Sequence, residues 1–151
     1  MGVLTRVVEV GTRGRGFYEV TDAVAGVLRA SGVAEGICSL SVMHTSASLI
    51  IFENADPTAK TDIEAWMRKH VPDGDPAYVH SDEGPDDMPS HIRAALTATT
   101  LTIPVSEGKL MLGRWQGIYL WEHRTAPHRR MVAVACMGES PKPEAMKPFR
   151  G

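Results

Sequence analysis

The sequence has no excess of basic charge, no apolar run of the roughly 20 residues that would span a bilayer, no internal repeat, and no C-x-x-C or H-x-x-x-H pair. Each absence removes a class of function. With 16 Lys and Arg against 18 Asp and Glu, the net charge of −2 does not gather a phosphate backbone, so neither nucleic acid nor a membrane is an expected partner. The local pairs Arg13/Arg15 and Arg129/Arg130 read as solvated strand ends. The start, MGVLTRVVEVG, lacks a basic segment followed by a long apolar stretch and a small-residue cleavage site, so a cytoplasmic protein is expected. Cys38 and Cys136, the only cysteines, lie in apolar strand-like runs and read as buried, unpaired thiols.

What is present fits one globular domain. The chain has 151 residues, 43% of them apolar and 23% charged, enough to bury a core of its own. Segments 4–10 and 16–20 are β-rich runs joined by the glycine-containing GTRGR, which predicts a hairpin. Thr21 is placed to cap a short helix reaching Arg29, with Val24, Val27 and Leu28 on one face and Gly32 ending it. Two strand candidates follow between Gly36 and Glu53, with His44 near their junction. Asp56-Pro57 opens a second helix carrying Ile63, Trp66, Met67 and His70 at helical spacing.

Residues 71–88 combine prolines and glycines with six acids, which predicts a long polar loop. Such loops inside compact domains usually carry function. Pro89 is expected to open a third helix through about Ala98, followed by strands at TLTIPV, KLMLG, WQGIYLWEH and RRMVAVACMG, with a turn at Ser106-Glu107-Gly108. The last strand is apolar on both faces and should be central. One domain over 1–138 and a flexible Pro- and Lys-containing extension over 139–151 complete the expected layout.

Three histidines stand in polar company: His44, His80 and His91. Imidazole binds transition metals and titrates near neutrality, although satisfied structural histidines explain the same residues. Asp87 and His91 are four apart at a helix start, so Asp87 either orients the ring or caps the helix. Glu122 ends an apolar strand, where a carboxylate is a bonded structural group or a tuned acid or base. Gly113-Arg114-Trp115-Gln116-Gly117 joins a cation, a flat aromatic and an amide, suited to a ring with an attached anion, and serves equally as a hairpin turn with its indole in the core. Arg93, Lys109 and Arg124 are further candidate anion contacts.

Taken together, HTSASL, ENADPT, YVHSDEGPDDMPSHI and LGRWQGIYLWEHR resemble the YjbQ-like family, also called secondary thiamine-phosphate synthase, in blocks covering most of residues 15–139. The resemblance implies an α+β fold of mostly antiparallel, orthogonally packed sheets with about three helices, assembled as a homotrimer with a polar pocket near subunit contacts. It also implies a secondary ability to join a pyrimidine pyrophosphate to a thiazole phosphate. His44, Glu53, Asn54, Asp56, His80, Asp87, His91, Trp115, Gln116 and Glu122 fall on its motif positions. Phe52 and Arg114 depart from the pattern, where asparagine and threonine are common.

Three functions follow as expectations. The first is a transferase acting on a small phosphorylated metabolite: His44, His80 and His91 hold a divalent metal, Glu122, Asp87 or His91 carries the proton chemistry, and Glu53, Asn54, Arg114, Trp115 and Gln116 bind substrate. Imidazole ligands argue for zinc, whereas Asp86-Asp87 would suit magnesium with a diphosphate. The second is metal-assisted hydrolysis with the same ligands, and the third a non-catalytic trimer that binds a metal or metabolite.

Overall fold

A computed structural model describes residues 1–141. Its strands are β1 (Gly2–Gly11), β2 (Gly16–Glu19), β3 (Glu35–Val42), β4 (Ala47–Glu53), β5 (Thr100–Ser106), β6 (Lys109–Leu110), β7 (Gln116–Glu122) and β8 (Arg129–Glu139). The helices are α1 (Thr21–Ser31), α2 (Pro57–His70) and α3 (Asp87–Leu96). Two antiparallel sheets form, one in the order β1-β8-β3-β5-β6 and the other β2-β7-β4. This is the expected α+β architecture. No helix of the described residues is long and apolar enough to cross a membrane. β8 ends one residue beyond the expected domain limit, and most of the expected 139–151 extension lies outside the described residues.

The sheets meet through alternating side chains, because successive strand residues point to opposite faces. Leu40, Val42, Ile103, Val132 and Val134 from the larger sheet join Leu49, Ile118 and Leu120 from the smaller one, with Val24, Val27 and Leu28 of α1 in the same core. The other face of the small sheet carries Trp121, which packs with Met67 of α2 and Val71, while Ile92 of α3 borders them. The small sheet is therefore sandwiched, and every residue of β7 after Gln116 is buried. Cys38 and Cys136 are paired across β3 and β8, free and buried, as expected. Burial pushes the Cys38 thiol up to about 12, which makes it a packing group and not a nucleophile.

Several local signals hold. Asp56 Oδ1 accepts from the Thr58 amide at 2.9 Å with Pro57 opening α2, and Gly32 closes α1 in the left-handed region at φ 69°. Others are overturned. β1 and β2 do not form a hairpin: β1 pairs with β8 and β2 with β7, so residues 12–15 carry the chain from one sheet to the other. Gly14 makes that crossing at φ 122°, where a Cβ would come within 2.9 Å of the Thr125 carbonyl oxygen. Thr21 does not cap α1, because its hydroxyl accepts from the Ile118 amide at 2.9 Å and ties the helix start to β7. α3 begins two residues before Pro89, and the KLMLG strand shortens to Lys109–Leu110.

Candidate metal centre at the loop-helix junction

The carboxyl end of β7 meets the start of α3 through Arg124. Its Nε donates to Asp86 Oδ2 at 3.0 Å, Nη1 to Asp87 Oδ1 at 2.8 Å, and Nη2 to the Glu83 carbonyl at 2.8 Å. One planar guanidinium thus fixes both carboxylates and the end of the polar loop. Burial pushes the Asp86 carboxyl up, but the Thr125 amide and the Arg124 guanidinium outweigh it and leave it below the ordinary carboxylate range. Arg124 is therefore spent on structure and is not an open anion contact.

Asp87 faces two imidazoles. His80 Nε2 lies 2.8 Å from Oδ2, and His91 Nε2, one helical turn along, lies 3.2 Å from Oδ1. No side-chain hydrogen bond caps the start of α3, and the Asp87 carboxylate stands against the His91 ring one turn along. His80, Asp87 and His91 each offer a ligand atom, all within 4.8 Å of one another. Oδ2 is buried and, despite the short contact with His80, receives no aligned hydrogen bond from the described residues. A buried carboxylate oxygen without a donor is costly, and a cation removes that cost.

The tautomer of His91 points the same way. Its Nδ1 lies 2.8 Å from the Thr45 carbonyl, which can only accept, so Nδ1 carries the proton. In the neutral ring Nε2 is then a bare lone pair facing the Asp87 carboxylate. Two acceptors 3.2 Å apart repel unless a positive charge, a proton or a metal ion, lies between them. Two clefts flank the group. One of about 350 Å³ is lined by Asp75, Tyr78, His80, Ser81 and Met88, and the other, of about 420 Å³, by Val42, His44, Thr45, His91 and Thr99.

His44 does not join the cluster. Its Nε2 accepts from the Met131 amide at 2.8 Å, and the group of potential ligands among the described residues excludes it. Glu122 is fully buried and saturated. Oε1 accepts from Arg130 Nη2 at 2.5 Å and from the Arg124 amide at 3.0 Å, while Oε2 accepts from Arg130 Nε at 2.6 Å and Thr12 at 3.0 Å. Of its two readings the bonded structural group is the one present, and no lone pair is left for a substrate proton. Arg93 is fully buried with Nη1 donating to Glu64 at 2.6 Å and Nε without a partner among the described residues, so burial keeps it from serving as an open anion contact.

The expected substrate-binding residues gather elsewhere. Ala47 is opposite Glu122 at one end of the β4–β7 ladder and Glu53 is opposite Gln116 at the other. Six residue steps at ~3.4 Å separate the two ends by about 20 Å. At the far end Asn54 Nδ2 donates to the Arg114 and Gln116 carbonyls, Gln116 Oε1 accepts from the Gly113 amide, and Glu53 Oε2 accepts from the Asp56 amide. These polar groups close turns. Trp115 is not in the core; it is 56% exposed, with the Arg114 guanidinium 4.9 Å from its ring centroid. The single chain therefore brings His80, Asp87 and His91 together and leaves Glu53, Asn54, Arg114, Trp115 and Gln116 apart from them.

Sequence reasoning missed three contributors. Arg130 was expected in solvent, yet it is 3% exposed beneath Glu122. The alternation that runs from it through Val132 and Val134 was the available signal. His123 is fully buried, with Nε2 2.8 Å from the Ser48 hydroxyl and Nδ1 without a partner among the described residues. Burial, reinforced by Arg93, Arg15 and Arg130, lowers its pKa to about 3, so it stays neutral. Thr45, which sets the His91 tautomer through a backbone atom, left no trace in residue type.

The chain resembles known proteins over nearly all of its length. A model of the family described as UPF0047 protein YjbQ-like matches residues 6–139. A UPF0047 protein of Synechocystis sp. is 47% identical over 133 residues, 88% of this chain and 90% of that one. The UPF0047 protein YjbQ of Salmonella typhimurium is 42% identical over 135 residues, 89% of this chain and 97% of its own. Among solved structures, an uncharacterised conserved protein of the YjbQ/UPF0047 family from Clostridium acetobutylicum superposes with a TM-score of 0.77 at 33% identity, covering 89% of this chain and 99% of that one. A conserved hypothetical protein from Thermus thermophilus gives 0.78 at 32% identity, covering 87% and 99%.

Proposed function

This chain belongs to the YjbQ-like UPF0047 family, and from that premise we propose that His80, Asp87 and His91 hold a divalent cation serving hydrolysis of a small molecule. The observation that carries this reading is the facing pair of His91 Nε2 and Asp87 Oδ1, both acceptors once Thr45 fixes the imidazole tautomer. The unsatisfied Asp87 Oδ2 beside His80 supports it. Two imidazoles and one carboxylate suit zinc better than magnesium, which prefers oxygen donors throughout. Held by these residues, such an ion would make a bound water more acidic and would polarise a substrate oxygen.

The chain's own residues supply the frame. Arg124 holds Asp87 in place between the two imidazoles, and the Thr45 carbonyl orients the His91 ring and keeps its proton away from the cation position. Asp87 and His91 thereby become ligands and not proton acceptors. Thiamine-phosphate synthesis is less well supported within one chain, because the Arg114-Trp115 pair lies past the Gln116 end of the β4–β7 ladder, which is about 20 Å long, whereas Arg124, which holds Asp87, follows its Glu122 end. A trimer, which the family resemblance suggests, is part of the proposal, with the uncovered face of the larger sheet as its contact.

Elemental analysis of purified protein tests the site. We expect about one zinc per chain in the wild type, and loss of most of it in His80→Ala and in His91→Ala, with unchanged far-UV circular dichroism. Turnover of an ester or phosphoester without a second substrate separates hydrolysis from transfer. Unaltered metal content in both variants would falsify the ligand assignment.

A further inference from the structure

The cleft on the His44 side of His91 contains a polar group that the cation site does not use. The His44 Nε2 accepts the Met131 amide at 2.8 Å. A backbone amide only donates, so that nitrogen is bare and the ring proton of neutral His44 sits on Nδ1. Among the described residues no acceptor is bonded to that Nδ1. Protonating the ring would require breaking the Met131 bond, and burial, followed by the charge of Arg130, opposes the added proton and lowers the His44 pKa despite Glu122. The ring is thus held as a neutral donor, uncharged at neutral pH.

Its surroundings are those of a binding cleft. Val42, Ala94 and Ala95 supply apolar walls, Thr45 and Thr99 polar edges, and His91 lines the same space of about 420 Å³. Thr45 joins the two histidines: it follows His44 in the chain and its carbonyl holds His91 Nδ1. A ligand in this cleft therefore lies against the imidazole whose other nitrogen faces Asp87.

We propose that His44 is not a metal ligand but a neutral hydrogen-bond donor, its Nδ1–H donating to a carboxylate or phosphoryl oxygen of the small molecule bound beside the cation. This deepens the reading of His80, Asp87 and His91 and rests on it for the position of the ligand's other end; the tautomer does not depend on the ion. A donor already fixed in place costs no reorganisation when an oxygen arrives, and a neutral imidazole gives up no proton to it.

The experiment uses the full chain labelled with 15N in its histidines and loaded with zinc. Two-bond proton–nitrogen correlation spectra at pH 7 should show His44 protonated on Nδ1 alone, with and without zinc. A proton on Nε2, or a zinc-dependent loss of the Nδ1 proton, overturns the proposal. Zinc content should be the same in His44→Ala as in the wild type, whereas loss of more than half returns His44 to the ligand set. Acetate and inorganic phosphate are then titrated separately. A saturable shift of the His44 Nδ1 signal with either, abolished in Ala95→Trp, supports the subsite and identifies the oxygen type; no shift with both sinks it. A wild type that takes up no zinc defeats the cation reading instead, while the metal-free spectrum still reports the tautomer.

Discussion

Glu122 and Asp87 are both buried carboxylates near the junction of β7 and α3, and their partners give them different tasks. Glu122 is closed on itself by Arg130, Thr12 and a backbone amide, whereas Asp87 has one oxygen held by Arg124 and another that receives no aligned donor. Removing one member of a buried, fully bonded pair strands the other charge in low dielectric. Glu122→Gln should therefore destabilise the protein by about 3–5 kcal/mol, read as a lower urea midpoint at unchanged m-value, while the folded fraction keeps its zinc. A variant of near wild-type stability would show that Arg130 reaches solvent more easily than its burial implies. Residue types alone marked Glu122 and Asp87 as worth attention but did not sort them. Sorting needed Arg130 and Thr12, which are distant in sequence from one or both and carry no motif.

The turn between β5 and β6 is the element most directly legible in the chain. Ser106-Glu107-Gly108 was expected as a reversal, and Glu107 at φ 51° with Gly108 at 71° makes it a hairpin turn with two left-handed residues. Glycine accepts that region freely, but glutamate does so at a cost of roughly 1–2 kcal/mol, which asparagine largely avoids. Glu107→Asn should raise stability by about 0.5–1 kcal/mol and the melting temperature by about 1–4 °C, measured by calorimetry. No gain would mean that the Glu107 backbone bond to Glu35 already absorbs the strain. Helix starts at Asp56-Pro57 were legible for a similar reason, since capping is decided within a few residues. The β1–β2 pairing was not legible. Glycines between two β-rich runs specify that the chain can turn, not that it turns into the same sheet, and the true partner of β1 is more than a hundred residues away.

At the scale of the molecule, β8 was read as central and apolar on both sides, and the structure shows why the second side matters. β8 lies between β1 and β3, and its inward residues enter the core. Its outward residues run in rows with those of its neighbours: Val3, Met137, Ile37 and Pro104 are successive cross-strand partners, and Val7 pairs with Ala133. Val3, Val7, Ile37 and Met137 all remain exposed in the single chain, so this face presents an apolar row at Val3, Met137, Ile37 and Pro104, with Thr5, Ala135, Ser39 and Thr102 separating it from Val7. A local pattern can announce such a face but not what covers it. The same gap left the candidate site divided, with its imidazoles at one end of β7 and its indole at the other. Self-association through this face is the proposed cover, and Met137→Lys places a charge in the middle of the apolar row at a position where solvent already reaches the side chain. In sedimentation equilibrium at micromolar concentration the wild type should behave as three chains and Met137→Lys as one, with the circular dichroism of the two unchanged. A wild type that sediments as a single chain, or a lysine variant that stays fully assembled, would remove this face as the contact.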